Sequence, residues 1–305
     1  MKIRIGTRGS QLALIQAGMV KSKLENLNEG HKVELKIIKT KGDKILDSSL
    51  ARIDDKGLFV KEIEIALMER KIDIGVHSLK DIPTEQPEEL KISAMLQREI
   101  ANDAFVSNEY TSLALLNPGS IVGTSSLHRI SQLINFRPDL FIKDIRGNMD
   151  TRLKKLDRGD YDALILASAG LKRLGMEERI TQLLPVDLMV PAAGQGALAL
   201  ETRTSDRKIL AICQLLNHEE TQLAVQEERE FLKVMGGGCQ VPLGCHAFFE
   251  GSHFLIIGFI GDFEGKEKLF QKMKKKRNEY KGSGKELASL LLENGGKRIL
   301  ETIKK

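Results

Sequence analysis

The feature that most restricts the fold of this chain is an alternation. Over roughly its first two hundred residues, apolar stretches of period two and stretches of helical spacing follow one another. Lys2–Thr7 reads as a strand, and Ser10–Leu27 as a helix with Leu12, Ile15, Met19 and Leu27 along one face. Val33, Leu35 and Ile37 alternate as a strand, Phe59–Arg70 has helical spacing, and Ile72–Ser78 and Ile92–Leu96 return to strand. The pattern restarts with Ser120–Gly123 (strand), Ser126–Phe136 (helix), Leu140–Ile145 (strand), Asn148–Leu156 (helix) and Asp162–Ser168 (buried strand). Strand, helix and strand in succession close most readily as a parallel pair with the helix packed across it. Two such blocks predict two α/β domains with a cleft between them, with crossings near Arg98–Asp103 and Pro191–Gly196.

After Asp206 the pattern changes. Helical stretches at Asp206–Leu216 and Thr221–Met235 lead into Gly236-Gly237-Gly238. Short strands follow around Cys245–Phe249, Phe254–Phe259 and Lys268–Met273, then a helical tail from Lys285. The expected organisation is an α/β domain over residues 1–98 and 197–216, a second over 99–196, and a small α+β domain over 217–305.

Composition serves mainly to exclude. No apolar run approaches the roughly 20 residues that cross a bilayer. The start, Met1-Lys2-Ile3-Arg4-Ile5-Gly6, lacks the apolar stretch of a secretion signal, so a cytoplasmic protein with no membrane partner is expected. Cys213, Cys239 and Cys245 form a sparse, odd set, which argues against a disulfide framework and for a reducing compartment. Their spacing with His246 matches no common zinc pattern, so no metal is expected. The net charge of +5 permits an acidic partner without identifying one. The basic run Lys272–Arg277 has no interleaved aromatics, which excludes a stacking platform for nucleic acid; it reads as a guarded sheet edge.

In open α/β sheets, ligands gather at the carboxyl ends of strands, where helix N-termini point N–H groups at anions. Four such junctions each add a cation to hydroxyl or cap residues. They are Gly6-Thr7-Arg8-Gly9-Ser10, His77-Ser78-Leu79-Lys80-Asp81, Gly123-Thr124-Ser125-Ser126-Leu127-His128-Arg129, and Arg146-Gly147-Asn148 with Thr151-Arg152. Any one of them is an ordinary helix start. Four together suit recognition of carboxylates or phosphates by forked guanidiniums, and no GxxxxGK[ST] loop supports a nucleotide. Asp81 is either a turn aspartate or an ionised acid stabilising positive charge, and local sequence leaves the two open. His77 reads as a core or hinge histidine rather than a base. Cys239 follows three glycines that let backbone or ligand approach closely, favouring a nucleophile or attachment site over core packing. Cys213, in the helical run Ile209–Leu216, reads as packing.

These segments together resemble the porphobilinogen deaminase family. The matching strings include Thr7-Arg8-x-Ser10, Lys56-Gly57-Leu58-Phe59-Val60-Lys61-Glu62, Val76-His77-Ser78-Leu79-Lys80-Asp81-Ile82-Pro83 and Asp103-Ala104-Phe105-Val106-Ser107. They continue with Gly123-Thr124-Ser125-Ser126-Leu127, Arg146-Gly147-Asn148-x-x-Thr151-Arg152-Leu153, Ala169-Gly170-Leu171-Lys172-Arg173-Leu174-Gly175, Gly194-Gln195-Gly196-Ala197 and Gly237-Gly238-Cys239-Gln240-Val241-Pro242. The likeness runs in order to about Gly244 and is weak beyond it.

The resemblance implies two α/β domains like those of periplasmic binding proteins, flanking a cleft, and a small α+β C-terminal domain. It implies a monomeric transferase of tetrapyrrole biosynthesis, which deaminates four porphobilinogen molecules and condenses them into hydroxymethylbilane. It implies a dipyrromethane cofactor held by a thioether to Cys239, a linkage that cellular thiols do not exchange. By the same likeness Asp81 and Lys80 are catalytic. Arg8, Ser10, Thr124, Ser125, Ser126, His128, Arg129, Arg146, Arg152, Arg173 and Gln195 line the cofactor and substrate site. Two departures stand out. His128-Arg129 replaces the family's paired arginines, and Asp54-Asp55 stands where two glycines are frequent, which implies a stiffer or differently charged loop over Ser48–Gly57. A cytosolic protein that merely captures an anion is the rival reading, and Cys239 discriminates, since capture needs no such residue.

Overall fold

A computed structural model describes residues 1–27, 30–44, 57, 59–237 and 241–303. The chain opens with β1 (Lys2–Thr7), α1 (Gln11–Glu25), β2 (Lys32–Ile37), α2 (Lys41–Lys44), α3 (Lys61–Met68), β3 (Ile74–Ser78) and β4 (Leu90–Met95). It continues with β5 (Asp103–Val106), β6 (Ile121–Gly123), α4 (Leu127–Phe136), β7 (Phe141–Lys143), α5 (Met149–Asp157), β8 (Ala163–Ala167), α6 (Ser168–Arg173) and β9 (Gln182–Leu183). Next come β10 (Leu198–Arg203), α7 (Arg207–Gln214), α8 (Glu219–Val234), β11 (Leu243–Glu250), β12 (His253–Gly261), β13 (Lys268–Lys276), α9 (Ser283–Leu291) and α10 (Lys297–Ile303).

The described residues fall into two compact units. One is drawn from Met1–Ser48, Ile53–Glu99 and Gly196–Gln222, the other from Ile100–Gln195 and Leu223–Lys305. The first unit is built on a five-stranded sheet of order β2-β1-β3-β10-β4. Ile3, Ile5, Ile74, Val76, Leu198 and Leu200 are fully or nearly buried against Ala17, Val20 and Leu24 of α1 and Ile209, Ile212 and Cys213 of α7. The other face packs on Ile63, Ala66 and Leu67 of α3. Each such aliphatic side chain taken out of water contributes about 1.5–3 kcal/mol.

The second unit holds two sheets with separate cores. The five-stranded one has order β7-β6-β8-β5-β9, and the three-stranded one is the meander β11-β12-β13. Phe231 of α8 and Leu287 and Leu291 of α9 cover one face of the meander. α9 approaches α8 so closely that a Cβ on Gly284 would stand 1.9 Å from the Glu227 carbonyl oxygen, so glycine is required there.

The α/β class holds, with a correction to the expectation of parallel sheets. β1 pairs in parallel with β2 and β3, and β6 with β7 and β8. β10, however, runs antiparallel between β3 and β4, and β5 runs antiparallel between β8 and β9. Each five-stranded sheet thus has a parallel half, whose carboxyl ends face one edge, and one strand entering from that edge in the opposite sense.

Candidate active site

In the first unit, β1 and β3 are neighbours and their carboxyl ends share an edge. Arg8 and Ser10 leave β1 there, and Lys80 and Asp81 leave β3 in a single 3-10 turn, Leu79–Asp81. Ser10 caps α1, accepting from Ala13 N at 3.3 Å, while Thr7 Oγ1 donates to Ala13 O at 3.0 Å. The Arg8 guanidinium lies 4.0 Å from the centroid of the Phe59 ring, a stacking that fixes a long side chain at small entropic cost. Gln16 of α1 reaches across the edge, its Nε2 donating to Ser78 Oγ at 3.0 Å. Arg8, Ser10, Lys80 and Asp81 are thereby brought together.

In the second unit the corresponding edge gathers the ends of β6, β7 and β8. Ser125 Oγ bridges two of them, donating to Ile145 O at 2.7 Å and accepting from Ile145 N at 3.1 Å. Thr124 is buried, and its hydroxyl accepts from Ser126 N. Asn148 caps α5, its Oδ1 accepting from Thr151 N and Thr151 Oγ1, each at 2.9 Å. The guanidiniums of Arg129, Arg146 and Arg152 converge on this edge and influence one another electrostatically. Arg152 is pushed down to about 10, first by burial and then by the Arg129 charge, with Asp144 opposing and Arg146 adding to the crowding. Arg152 Nε donates to Gly147 O at 2.9 Å, and Arg146 Nε to Asp144 Oδ2 at 3.1 Å. Arg146 Nη2 is buried without a hydrogen-bond partner among the described residues. Arg173 ends α6, the helix that leaves β8.

His128, Arg129 and Gln195 meet on a residue that sequence reasoning passed over. Asp103, the first residue of β5, lies opposite Ala167 at the carboxyl end of β8 and has no exposed surface. Arg129 grips it with both prongs, Nη2 to Oδ1 at 2.7 Å and Nε to Oδ2 at 3.0 Å, while Nη1 donates to Ile165 O. Gln195 Nε2 donates to Asp103 Oδ1 at 2.6 Å and to Ala101 O at 2.7 Å. His128 Nδ1 is 2.7 Å from Ser126 Oγ, and its Nε2 lies 3.8 Å from Asp103 Oδ2. Burial alone would push the Asp103 carboxyl up, but the Arg129 guanidinium and His128 outweigh it and hold it well below the usual carboxylate range. One signal pointed here: an acidic residue opening the apolar run Ala104-Phe105-Val106, where burial demands a paired charge.

A second buried carboxylate, Glu228 of α8, accepts from Gly194 N at 2.6 Å and from Ala247 N at 2.7 Å, anchoring the loop that carries Gln195 to β11. Cys239 lies outside the described residues, as do residues 48–56 of the loop singled out by Asp54-Asp55. Cys213 and Cys245 are both fully buried. Burial pushes the Cys213 thiol up to about 11, so it packs rather than reacts.

Comparison with known proteins adds to this geometry. A family model described as "Porphobilinogen deaminase, dipyromethane cofactor binding domain" matches residues 3–211, and one described as "Porphobilinogen deaminase, C-terminal domain" matches residues 222–293. The likeness therefore extends past Gly244, correcting the expectation that it fades there. A curated porphobilinogen deaminase from Syntrophomonas wolfei subsp. wolfei is 49% identical over 298 residues, 98% of this chain and 97% of that protein. Another, from a Nitratiruptor species, is 47% identical over 304 residues, 99% of this chain and 96% of that protein. Among solved structures, a lipoprotein from Bacillus subtilis aligns at a TM-score of 0.44 and 12% identity, over 72% of this chain and 92% of its own. The methionine-binding protein MetQ aligns at 0.47 and 14%, over 74% and 93%.

Proposed function

Because the chain belongs to the porphobilinogen deaminase family, we propose that Asp81 is its catalytic carboxylate, that Cys239 carries dipyrromethane through a thioether, and that its strand-end arginines hold carboxylates of cofactor and substrate. The reaction is that of hydroxymethylbilane synthase, in which four porphobilinogen molecules lose ammonia and join head to tail. Porphobilinogen bears an acetate and a propionate, so the growing chain gains carboxylates at every round.

The donor set fits such a polyanion. Arg152 is pushed down to about 10, first by burial and then by the Arg129 charge, and the buried Nη2 of Arg146 has no hydrogen-bond partner among the described residues. That buried donor without an acceptor is the observation that carries this assignment, because a guanidinium nitrogen left unsatisfied is costly and a bound carboxylate satisfies it. When bound, dipyrromethane supplies a pyrrole α-carbon as the nucleophile on which the chain is built.

The protein's own groups do the rest. Asp81, half-buried in its turn, places negative charge where the pyrrole nitrogens become positive, and a preorganised charge of this kind lowers the barrier without reorganising. Lys80 and Arg8 share its edge and bind carboxylate. Arg146, Arg152 and Arg173 hold further carboxylates, with Ser10, Thr124, Ser125 and Ser126 supplying hydroxyls. Arg129, His128 and Gln195 act from the Asp103 network, keeping the β6 and β8 ends in register.

Three domains are the natural division, 1–98 with 197–216, 99–196, and 217–305, since the second unit contains two sheets with their own cores. The enzyme works as a cytosolic monomer, a reading supported by the family and by the sparse, odd cysteine set.

The direct test is turnover. Purified protein supplied with porphobilinogen should release ammonia and accumulate a linear tetrapyrrole. Arg152→Ala should raise KM more than it lowers kcat. Cofactor-loaded protein that releases no ammonia, or an Arg152→Ala variant with unchanged KM, contradicts the assignment.

A further inference from the structure

The turn that carries Lys80 and Asp81 is held on both flanks by one buried carboxylate. β3 ends at Ser78, and the chain passes at once into the turn Leu79–Asp81. Upstream, the His77 side chain folds back over Gly75, where an added Cβ would stand 2.8 Å from His77 Nε2 and 2.9 Å from Ile63 Cγ2 of α3. Glycine at 75 is thus what leaves room for the ring. Glu201 of β10 faces Gly75 in the antiparallel register and is fully buried. Its Oε2 lies 3.1 Å from His77 Nε2, a close polar contact that is not aligned as a hydrogen bond. Its Oε1 accepts from Gln86 Nε2 at 2.7 Å, in the loop that leads away from the turn. Glu64 of α3 interacts with the same group, its carboxyl pushed up by burial and then by the Glu201 charge.

Burying a carboxylate is costly, and an apolar residue would pack β10 against α3 without that cost. What a carboxylate adds here is a close polar contact to the strand entering the turn and a hydrogen bond to the loop leaving it. Taking Asp81 as the catalytic carboxylate assigned above, we propose that Glu201 is a positioning residue for the reaction, holding the Lys80–Asp81 turn in place through His77 and Gln86. Displacing a reacting group by about 1 Å costs on the order of 100-fold in rate, so the turn has reason to be gripped twice.

The test uses full-length, cofactor-loaded enzyme, with kcat, KM and Tm measured for Glu201→Leu, Glu201→Gln and Gln86→Ala, each alone, and for Glu201→Leu combined with Asp81→Asn. Glu201→Leu cuts both ties and should lower kcat on the order of 10- to 100-fold with little change in KM. Glu201→Gln keeps an acceptor for Gln86 and an amide toward His77, and should recover most of that loss. Gln86→Ala cuts only the half-buried downstream tie and should lower kcat several-fold at nearly unchanged Tm. With Asp81→Asn already present, Glu201→Leu should cost little more, because both act through one carboxylate.

A role in folding alone would move Tm and leave kcat per loaded enzyme untouched, and that outcome overturns the proposal. So do additive losses in the double variant. If Glu201→Leu does not fold, Gln86→Ala decides: wild-type kcat in that variant refutes the tie. Near-normal turnover of Asp81→Asn alone is a different failure, since it removes Asp81 from the reaction and the premise with it.

Discussion

Asp103 and Asp81 are aspartates put to opposite uses. Asp103 is sealed in, with Arg129 and Gln195 donating to it and His128 alongside, and its carboxyl is held far below the usual range. Asp103→Asn leaves Arg129 buried without its countercharge and should cost about 3–5 kcal/mol. The sign of its pH dependence follows from that lowered value. The stability Asp103 contributes is complete above the unfolded carboxyl's value of about 3.9 and is lost as pH falls below it. Denaturant melts of wild type and Asp103→Asn should therefore differ most near neutrality and converge in acid; a gap that widens on acidification contradicts the pairing. Asp81, half-buried at a strand end, should behave otherwise. Asp81→Asn should keep its cofactor and its Tm while kcat falls roughly 10- to 1000-fold, about 1.4–4 kcal/mol of barrier. Single-turnover kinetics on cofactor-loaded protein would show it.

At the scale of elements, the strand-to-helix junctions make the site. Asn148 caps α5, which carries Arg152. Asn148→Ala should cost about 1 kcal/mol of stability, and it should raise KM through Arg152, read from melts and initial rates together. Such junctions were legible in the sequence because their chemistry is local: a hydroxyl or amide cap, a cation within a few positions, and a break in apolar period. What was not legible is what comes from far along the chain. Arg129 and Gln195 reach Asp103 across 26 and 92 positions, and Glu201 reaches Gln86 across 115. No periodicity reports such pairs. The two antiparallel strands escaped for a related reason. β10 and β5 are short buried runs whose sheet neighbours lie whole blocks of strands and helices away along the chain, so a pattern reading that joins each strand to the next through one helix has no place for them. His128 replaces a family arginine, and in the structure its ring lies against Ser126 and Asp103, a placement that the substitution alone did not reveal.

For the whole molecule, a buried strand-end guanidinium nitrogen without an acceptor among the described residues predicts that a bound anion stabilises the fold. Protein produced without dipyrromethane should melt below the loaded form, and citrate, a small polycarboxylate, should restore part of the difference. Ligand at one hundred times its Kd contributes about 2.7 kcal/mol. Arg146→Ala and Arg152→Ala should each reduce the citrate effect in a melting series; an effect of undiminished size in both would place the anion elsewhere. If this chain builds its product on a dipyrrole bound to its own cysteine, the intact mass of active protein must show it. Active protein should exceed the sequence mass by one dipyrromethane, mapping to the Cys239 peptide and absent from those of Cys213 and Cys245. Fully active protein with an unmodified Cys239 would contradict it.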